Sequence, residues 1–206
     1  MRLYDHAMSA NCLKPRILLA QLGVSYERVT VDLFAGETRR PEHLARNPDG
    51  RVPVLELDSG ELLPESAAIM LYLAEGTPYL PGDRLARARV YQWLFFEQNQ
   101  IEPGLAVARF MALRGLVNDH PQIYANRLSQ GRRALSAMGR GLADGRAFIA
   151  GADYSVADIA LYGYVHCAHE AGAELREYPR IGAWVERVEA TPGFVNDLEP
   201  IPWSDS

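Results

Sequence analysis

The chain has 206 residues, 48% hydrophobic and 23% charged, a balance that fits one large or two small globular domains. No apolar run approaches the roughly 20 residues of a membrane span, and the start lacks the basic, apolar, small-residue order of a secretory signal. A net charge of -5 without a long basic block speaks against nucleic acid as a partner, and two distant cysteines, Cys12 and Cys167, outside any CxxC pair, make a reducing cytoplasm the expected compartment.

In chain order, RLYD (2–5) reads as a short strand. CLKPRILLAQLG (12–23) reads as a helix, apolar at Ile17, Leu18, Ala20 and Leu22 and stopped by Gly23. Pro15 in its early turns predicts that regular helix starts no earlier than Asn11 or Cys12, since proline is tolerated only where no intrahelical donor is missed. SYERVTVDL (25–33) alternates like a strand. The polar stretch 35–50 holds one helical turn around PEHLA, and VPVLEL (52–57), DSGE and ELL read as a hairpin. ESAAIMLYLAEG (65–76) is a helix, so the order is β-α-β-α-β-β-α, a small mixed sheet faced by helices.

TPYLPGD (77–83) reads as a linker, with its prolines and glycine. Beyond it every segment reads as helix. These are 84–115 with a kink at Pro103, then 121–143, then YSVADIALYGYVHCAHEAG (154–172), then YPRIGAWVERVEA (178–190). Ser155 with Asp158 three residues on is close to a capping box, and Tyr154 and Ile159 stand at the positions of a hydrophobic staple. The expected organisation is an α/β domain over 1–76 and an all-α domain over 84–206.

Two motifs of the first domain suit a ligand. Pro53 removes a donor where a strand begins, leaving the Val52 backbone at the mouth of the sheet; the letters alone favour a plain trans strand-starter over a cis bond. Glu65 and Ser66 open a helix, where unpaired N–H groups and a hydroxyl suit a carboxylate while Glu65 suits an ammonium; ordinary capping explains the same letters.

NPDGRVPVLEL, LPESAAIMLYLAEG, YSVADIALY and YPRIGAWVERVEATPGF, in this order over nearly the whole chain, resemble the cytosolic glutathione S-transferases. The resemblance implies a thioredoxin-like N-terminal domain, a helical C-terminal domain, glutathione as cosubstrate and a homodimer. It implies a cis proline after Val52, whose backbone pairs with the cysteinyl part of glutathione as an added strand. By the same likeness Glu65 and Ser66 hold the γ-glutamyl end, and Arg51 lies near the glycyl carboxylate. A free thiol has a pKa of about 8.5, so a donor aimed at the sulfur beside a helix N-terminus is needed to favour the thiolate. Ser9 matches the serine of the serine-type classes, and Asn11 resembles the asparagine of bacterial nu-class enzymes.

Other residues compete. Cys12 matches the cysteine of the omega and beta classes but falls one place late, about 100° around a helix, which makes it a packed residue first. Tyr4 lies in a strand, where packing is the better reading. HCAHE (166–170) falls short of a metal site, YQWLFFEQ (91–98) reads as core and dimer surface, Arg109 and Phe110 as an edge of the second-substrate site, and ETRR (37–40) as a solvated loop with one arginine in reach of the glycyl carboxylate. The expected activity is thiolate attack on a small hydrophobic electrophile. Glutathione-dependent disulfide reduction is the alternative enzyme, and a non-catalytic glutathione-binding scaffold is the alternative class.

Overall fold

The computed structural model describes residues 1–200, and the last six residues of the expected second domain lie outside the described residues. The chain divides into two compact units, Met1–Glu75 with Pro192–Pro200, and a helical unit from Gly76 to Thr191.

The first unit has the expected order: β1 (Arg2–Asp5), α1 (Ala10–Leu22), β2 (Glu27–Thr30), a 3-10 turn at Glu37–Arg39, α2 (Pro41–Leu44), β3 (Val54–Glu56), β4 (Leu62–Pro64) and α3 (Ser66–Ala74). The four-stranded sheet runs β2-β1-β3-β4, with β1 parallel to β2 and antiparallel to β3, and β3 antiparallel to β4. Strand alternation sorts the core. Leu3 and Leu55 face Leu19 of α1 and Ile69 of α3, while Tyr4, Val31 and Val54 cluster separately. Gly23 stops α1 in the left-handed region at φ 65°, its N–H returned to the Ala20 carbonyl.

Helix α1 differs from expectation in its start. It begins at Ala10, so Pro15 sits inside it and offers no N–H to the Asn11 carbonyl one turn back. β3 is also shorter than the letters suggest, beginning at Val54, because Pro53 has no N–H to give a ladder.

The C-terminal segment returns to this unit through charge. Asp5 is fully buried and accepts from Arg16 Nη1 at 2.8 and 3.0 Å, while Arg28 pairs with the same carboxylate. Arg16 Nε then reaches Asp197 at 2.8 Å, and the Glu199 N–H donates to the Ala7 carbonyl at 3.1 Å.

The helical unit comprises α4 (Arg84–Phe96), α5 (Val107–Leu113), α6 (Pro121–Gly141), α7 (Val156–Val165) and α8 (Pro179–Glu189). Between α4 and α5, where the sequence predicts a kink, Glu97–Ala106 winds as wide π-type turns around Pro103. A wider turn relieves the clash of the proline ring with the preceding carbonyl. Gly104 follows at once, and a Cβ there would lie 2.6 Å from the Gly131 nitrogen of α6, so close helix packing requires glycine.

α7 is buried along its whole length and carries the predicted capping box. Asp158 Oδ2 accepts from the Ser155 N–H at 3.1 Å, and its Oδ1 accepts from the Ile149 N–H and Trp184 Nε1, both at 2.8 Å. Tyr154 packs against Tyr79 and Phe148, with ring centroids 5.9 and 5.3 Å away. The Tyr79 carbonyl accepts from the Val156 N–H, tying the segment read as linker to the start of α7. α7 ends at Val165 rather than Gly172, and a separate 3-10 turn follows at Ala168–Ala171. No helix among the described residues is long and apolar enough to cross a membrane.

Candidate active site

Sheet register builds the site. Tyr4 pairs with Val54, and Val54 pairs with Pro64. One end of the sheet therefore collects the loop after β1, the approach to β3 and the exit of β4. Ser9 and Asn11, Arg51-Val52-Pro53, and Glu65-Ser66 all emerge there.

Ser9 is the N-cap of α1, with φ -87° and ψ 115°. Its Oγ accepts from the Cys12 N–H at 3.4 Å, and its own N–H donates to the His6 carbonyl at 3.0 Å. A hydroxyl has one donor and two lone pairs, so capping occupies a lone pair, and the O–H meets the Cys12 thiol, a weak acceptor that a stronger one can replace. Ser9 is only partly buried, so this donor stands beside the positive end of α1, where an anion is favoured. Asn11, one turn-position further, is also partly buried, and its Oδ1 accepts from Lys14 Nζ at 2.7 Å.

The Val52–Pro53 bond is cis, as the family resemblance implies and against the reading from the letters alone. Among the described residues neither the N–H nor the C=O of Val52 has a backbone partner, which leaves both for an extended ligand. The preceding carbonyl, that of Arg51, is held by two buried residues, accepting from His43 Nε2 at 2.9 Å and from Asn47 Nδ2 at 3.1 Å. A carbonyl only accepts, so His43 carries its proton on Nε2. Gly50 completes the bend at φ 65°; a Cβ there would lie 2.8 Å from both the Thr38 carbonyl oxygen and Arg39 Nη1. Arg39 donates to the Asp49 carbonyl at 3.1 Å, and the exposed Arg51 guanidinium meets Asp49 at 2.6 Å. Arg40 of the same stretch pairs with Glu37 instead.

Glu65 is exposed, with φ 73° and ψ 114°, the positive-φ residue other than glycine among the described residues. Such a backbone costs about 1–3 kcal/mol and clusters at ligand sites. Ser66 beside it is buried and begins α3.

The competing residues are accounted for by packing. Cys12 is fully buried, and burial, followed by the charge of Asp5, raises its thiol far above the ordinary value. Tyr4 is buried, donates to Glu56 Oε2 at 2.6 Å and lies under the Arg46 guanidinium. In HCAHE, His166 Nδ1 donates to the Tyr162 carbonyl at 2.7 Å and its ring stacks on Tyr162; burial pushes the Cys167 thiol up to about 12. No cluster of metal-ligating side chains occurs among the described residues. Arg109 is not an open edge but a buried cation paired with Glu170, whereas Phe110 is exposed. The run 91–98 is divided, Trp93 and Leu94 buried and Phe95 69% exposed.

Sequence reasoning missed His43, Asn47 and Lys14. His43 and Asn47 stand one helical turn apart just before RVP, a spacing that could have marked them. Lys14 left no signal, because a lysine in a first turn reads as solvated.

The family pattern described as "Glutathione S-transferase, N-terminal domain" matches residues 1–75, and "Glutathione S-transferase, C-terminal domain" matches residues 121–187. The maleylacetoacetate isomerase of Pseudomonas aeruginosa is 33% identical over 202 residues, covering 94% of this chain and 93% of that protein. The chain belongs to the cytosolic glutathione S-transferase family. Among solved structures, a glutathione S-transferase from Pseudomonas fluorescens is 42% identical with a TM-score of 0.93, covering 96% of this chain and 98% of that one. A glutathione transferase family member from the same species, solved with two glutathione molecules bound, is 25% identical with a TM-score of 0.83, covering 98% and 92%. The first unit is accordingly the thioredoxin-like half of a glutathione S-transferase, and relatives bind glutathione.

Proposed function

We propose that the protein is a glutathione transferase in which Ser9, assisted by Asn11, holds glutathione as the thiolate for attack on a small hydrophobic electrophile. The observation that carries this reading is the partly exposed Ser9 hydroxyl at the N-terminus of α1, whose O–H meets only the weak acceptor of the Cys12 thiol, on the same sheet end as the unpaired Val52 backbone. The Val52 N–H and C=O would take the cysteinyl part of glutathione, Glu65 and Ser66 its γ-glutamyl end, and Arg51 its glycyl carboxylate. The reacting nucleophile belongs to the cosubstrate, and Ser9 lowers the energy of its anion by a charge-assisted hydrogen bond. In chain order the domains are 1–76 and 84–206 joined by 77–83, with Pro192–Pro200 packed back on the first, and the protein works as a cytoplasmic homodimer.

The test is an ultraviolet titration of thiolate absorbance with glutathione bound. In the wild type the thiol should ionise well below its free value of about 8.5. Ser9→Ala should restore that value, and turnover of a model electrophile should fall with it. Retained low ionisation in Ser9→Ala would sink the assignment.

Reduction of disulfides through bound glutathione is the second reading, favoured by the relative solved with two glutathione molecules. It needs room for a second glutathione, and it would not route through Cys12, whose thiol is buried. Mixed-disulfide and maleylacetoacetate turnover, the latter after the isomerase relative, belong in the same assay panel.

A further inference from the structure

Lys14 is a lysine with no exposed surface, placed three residues after Asn11 on the same helix face. Its Nζ lies 2.7 Å from Asn11 Oδ1. Burying an ammonium is costly, so lysine is almost never fully buried without a specific partner. The contact has a chemical consequence for Asn11. An ammonium carries three donors and no acceptor, so the amide must present its oxygen to Lys14. The orientation of Asn11, ordinarily ambiguous between oxygen and nitrogen, is thereby fixed. Both Nδ2–H donors are turned away from Lys14. Withdrawal of charge through the carbonyl also strengthens those N–H groups as donors, as linked hydrogen bonds polarise one another.

We propose that Lys14 is a positioning residue that acts through Asn11, locking the amide so that its Nδ2–H group is offered to the glutathione sulfur. This rests on the reading of Ser9 and Asn11 as the sulfur-binding pair. The reach of the effect is set by the chain of contacts: Lys14 touches Asn11, and Asn11 touches the sulfur. Pro15 contributes a second constraint, because it leaves the Asn11 carbonyl without its helical N–H partner and so frees this turn from the strict helical ladder.

The experiment is the bound-thiol titration on Lys14→Met, Asn11→Ala and the double variant, with the wild type and Ser9→Ala as references. Lys14→Met keeps length and removes the charge. Its bound thiol should ionise about one pKa unit higher than in the wild type, the size of a nearby-charge effect. KM for glutathione should change less than about twofold, since a polarising role acts on the sulfur and not on the peptide ends. Added to Asn11→Ala, the lysine change should do nothing further. Asn11→Asp, which keeps the contact with Lys14 but has no N–H, should lose the low ionisation as fully as Asn11→Ala. If Lys14→Met does not fold, Lys14→Leu, which also lacks a donor, replaces it with the same expectation. An unshifted titration in the lysine variant overturns the proposal, as does a full extra effect on top of Asn11→Ala. The underlying reading fails separately, when the wild type itself holds the thiol no lower than free glutathione.

Discussion

Among the described residues two helices begin with a serine cap, and only one of the serines is offered as a working group. At α7, Ser155 is buried and locked: its Oγ takes the Ala157 N–H, and Asp158 takes the Ser155 N–H in return. At α1, Ser9 is partly exposed, and the reciprocating position holds Cys12, whose sulfur is only a weak acceptor for the Ser9 side chain and no match for a carboxylate. The same residue at the same helical position is thus a fastener where an acid stands three residues on and an available donor where none does. A capping serine becomes a candidate for chemistry when the box around it is incomplete.

The comparison can be broken most severely at Asp158. Asp158→Ala leaves the Ile149 N–H, the Ser155 N–H and Trp184 Nε1 without their acceptor in the core, and should cost at least about 3 kcal/mol in a denaturant titration, since each of the three buried groups left unsatisfied costs about 1–3 kcal/mol. Ser9→Ala should divide the other way. Catalytic efficiency with a model electrophile should fall about 10- to 100-fold, the worth of a hydrogen bond to a charged group, while stability moves by less than about 1 kcal/mol. Ser155→Ala should reverse that pattern, costing about 1 kcal/mol of stability and leaving the bound-thiol ionisation where the wild type has it. The smallest effect concerns the thiols. Cys12 and Cys167 are buried and their thiols raised, so a thiol reagent at pH 8 should label neither in the folded protein and both after denaturation. Rapid labelling of folded Cys12 would return the cysteine to the mechanism.

Much of this contrast was legible in the letters. Ser155 and Asp158 announce their box by spacing alone, and the order of strands and helices in the first unit follows from period-2 and helical patterning. Val52-Pro53 and Glu65-Ser66 were legible as positions, and the cis bond only through the family likeness. What stayed hidden depends on distance in space. The support of the Arg51 carbonyl by His43 and Asn47 is a side-chain contact across a loop. The burial of Lys14 depends on how α1 packs, and a single sequence gives a lysine no reason to be inside. The π-type winding after Phe96 shows in the letters only as Pro103, which predicts a disturbance but not its form. The return of Pro192–Pro200 to the first unit is carried by Asp197 meeting Arg16, a pairing no local pattern reveals.

That return sets a timetable for synthesis. The ribosome makes Asp5, Arg16 and Arg28 early, but Asp197 and Glu199 only after the whole helical unit has been made. Domains generally fold as units in order of emergence. This one cannot finish in that order, because its last charge partner is still untranslated when its sheet is complete. The loop carrying Ser9 waits longest, since the Ala7 carbonyl takes its bond from Glu199. A nascent chain therefore carries an unfinished glutathione half while the helical unit is being made and closes it only afterwards.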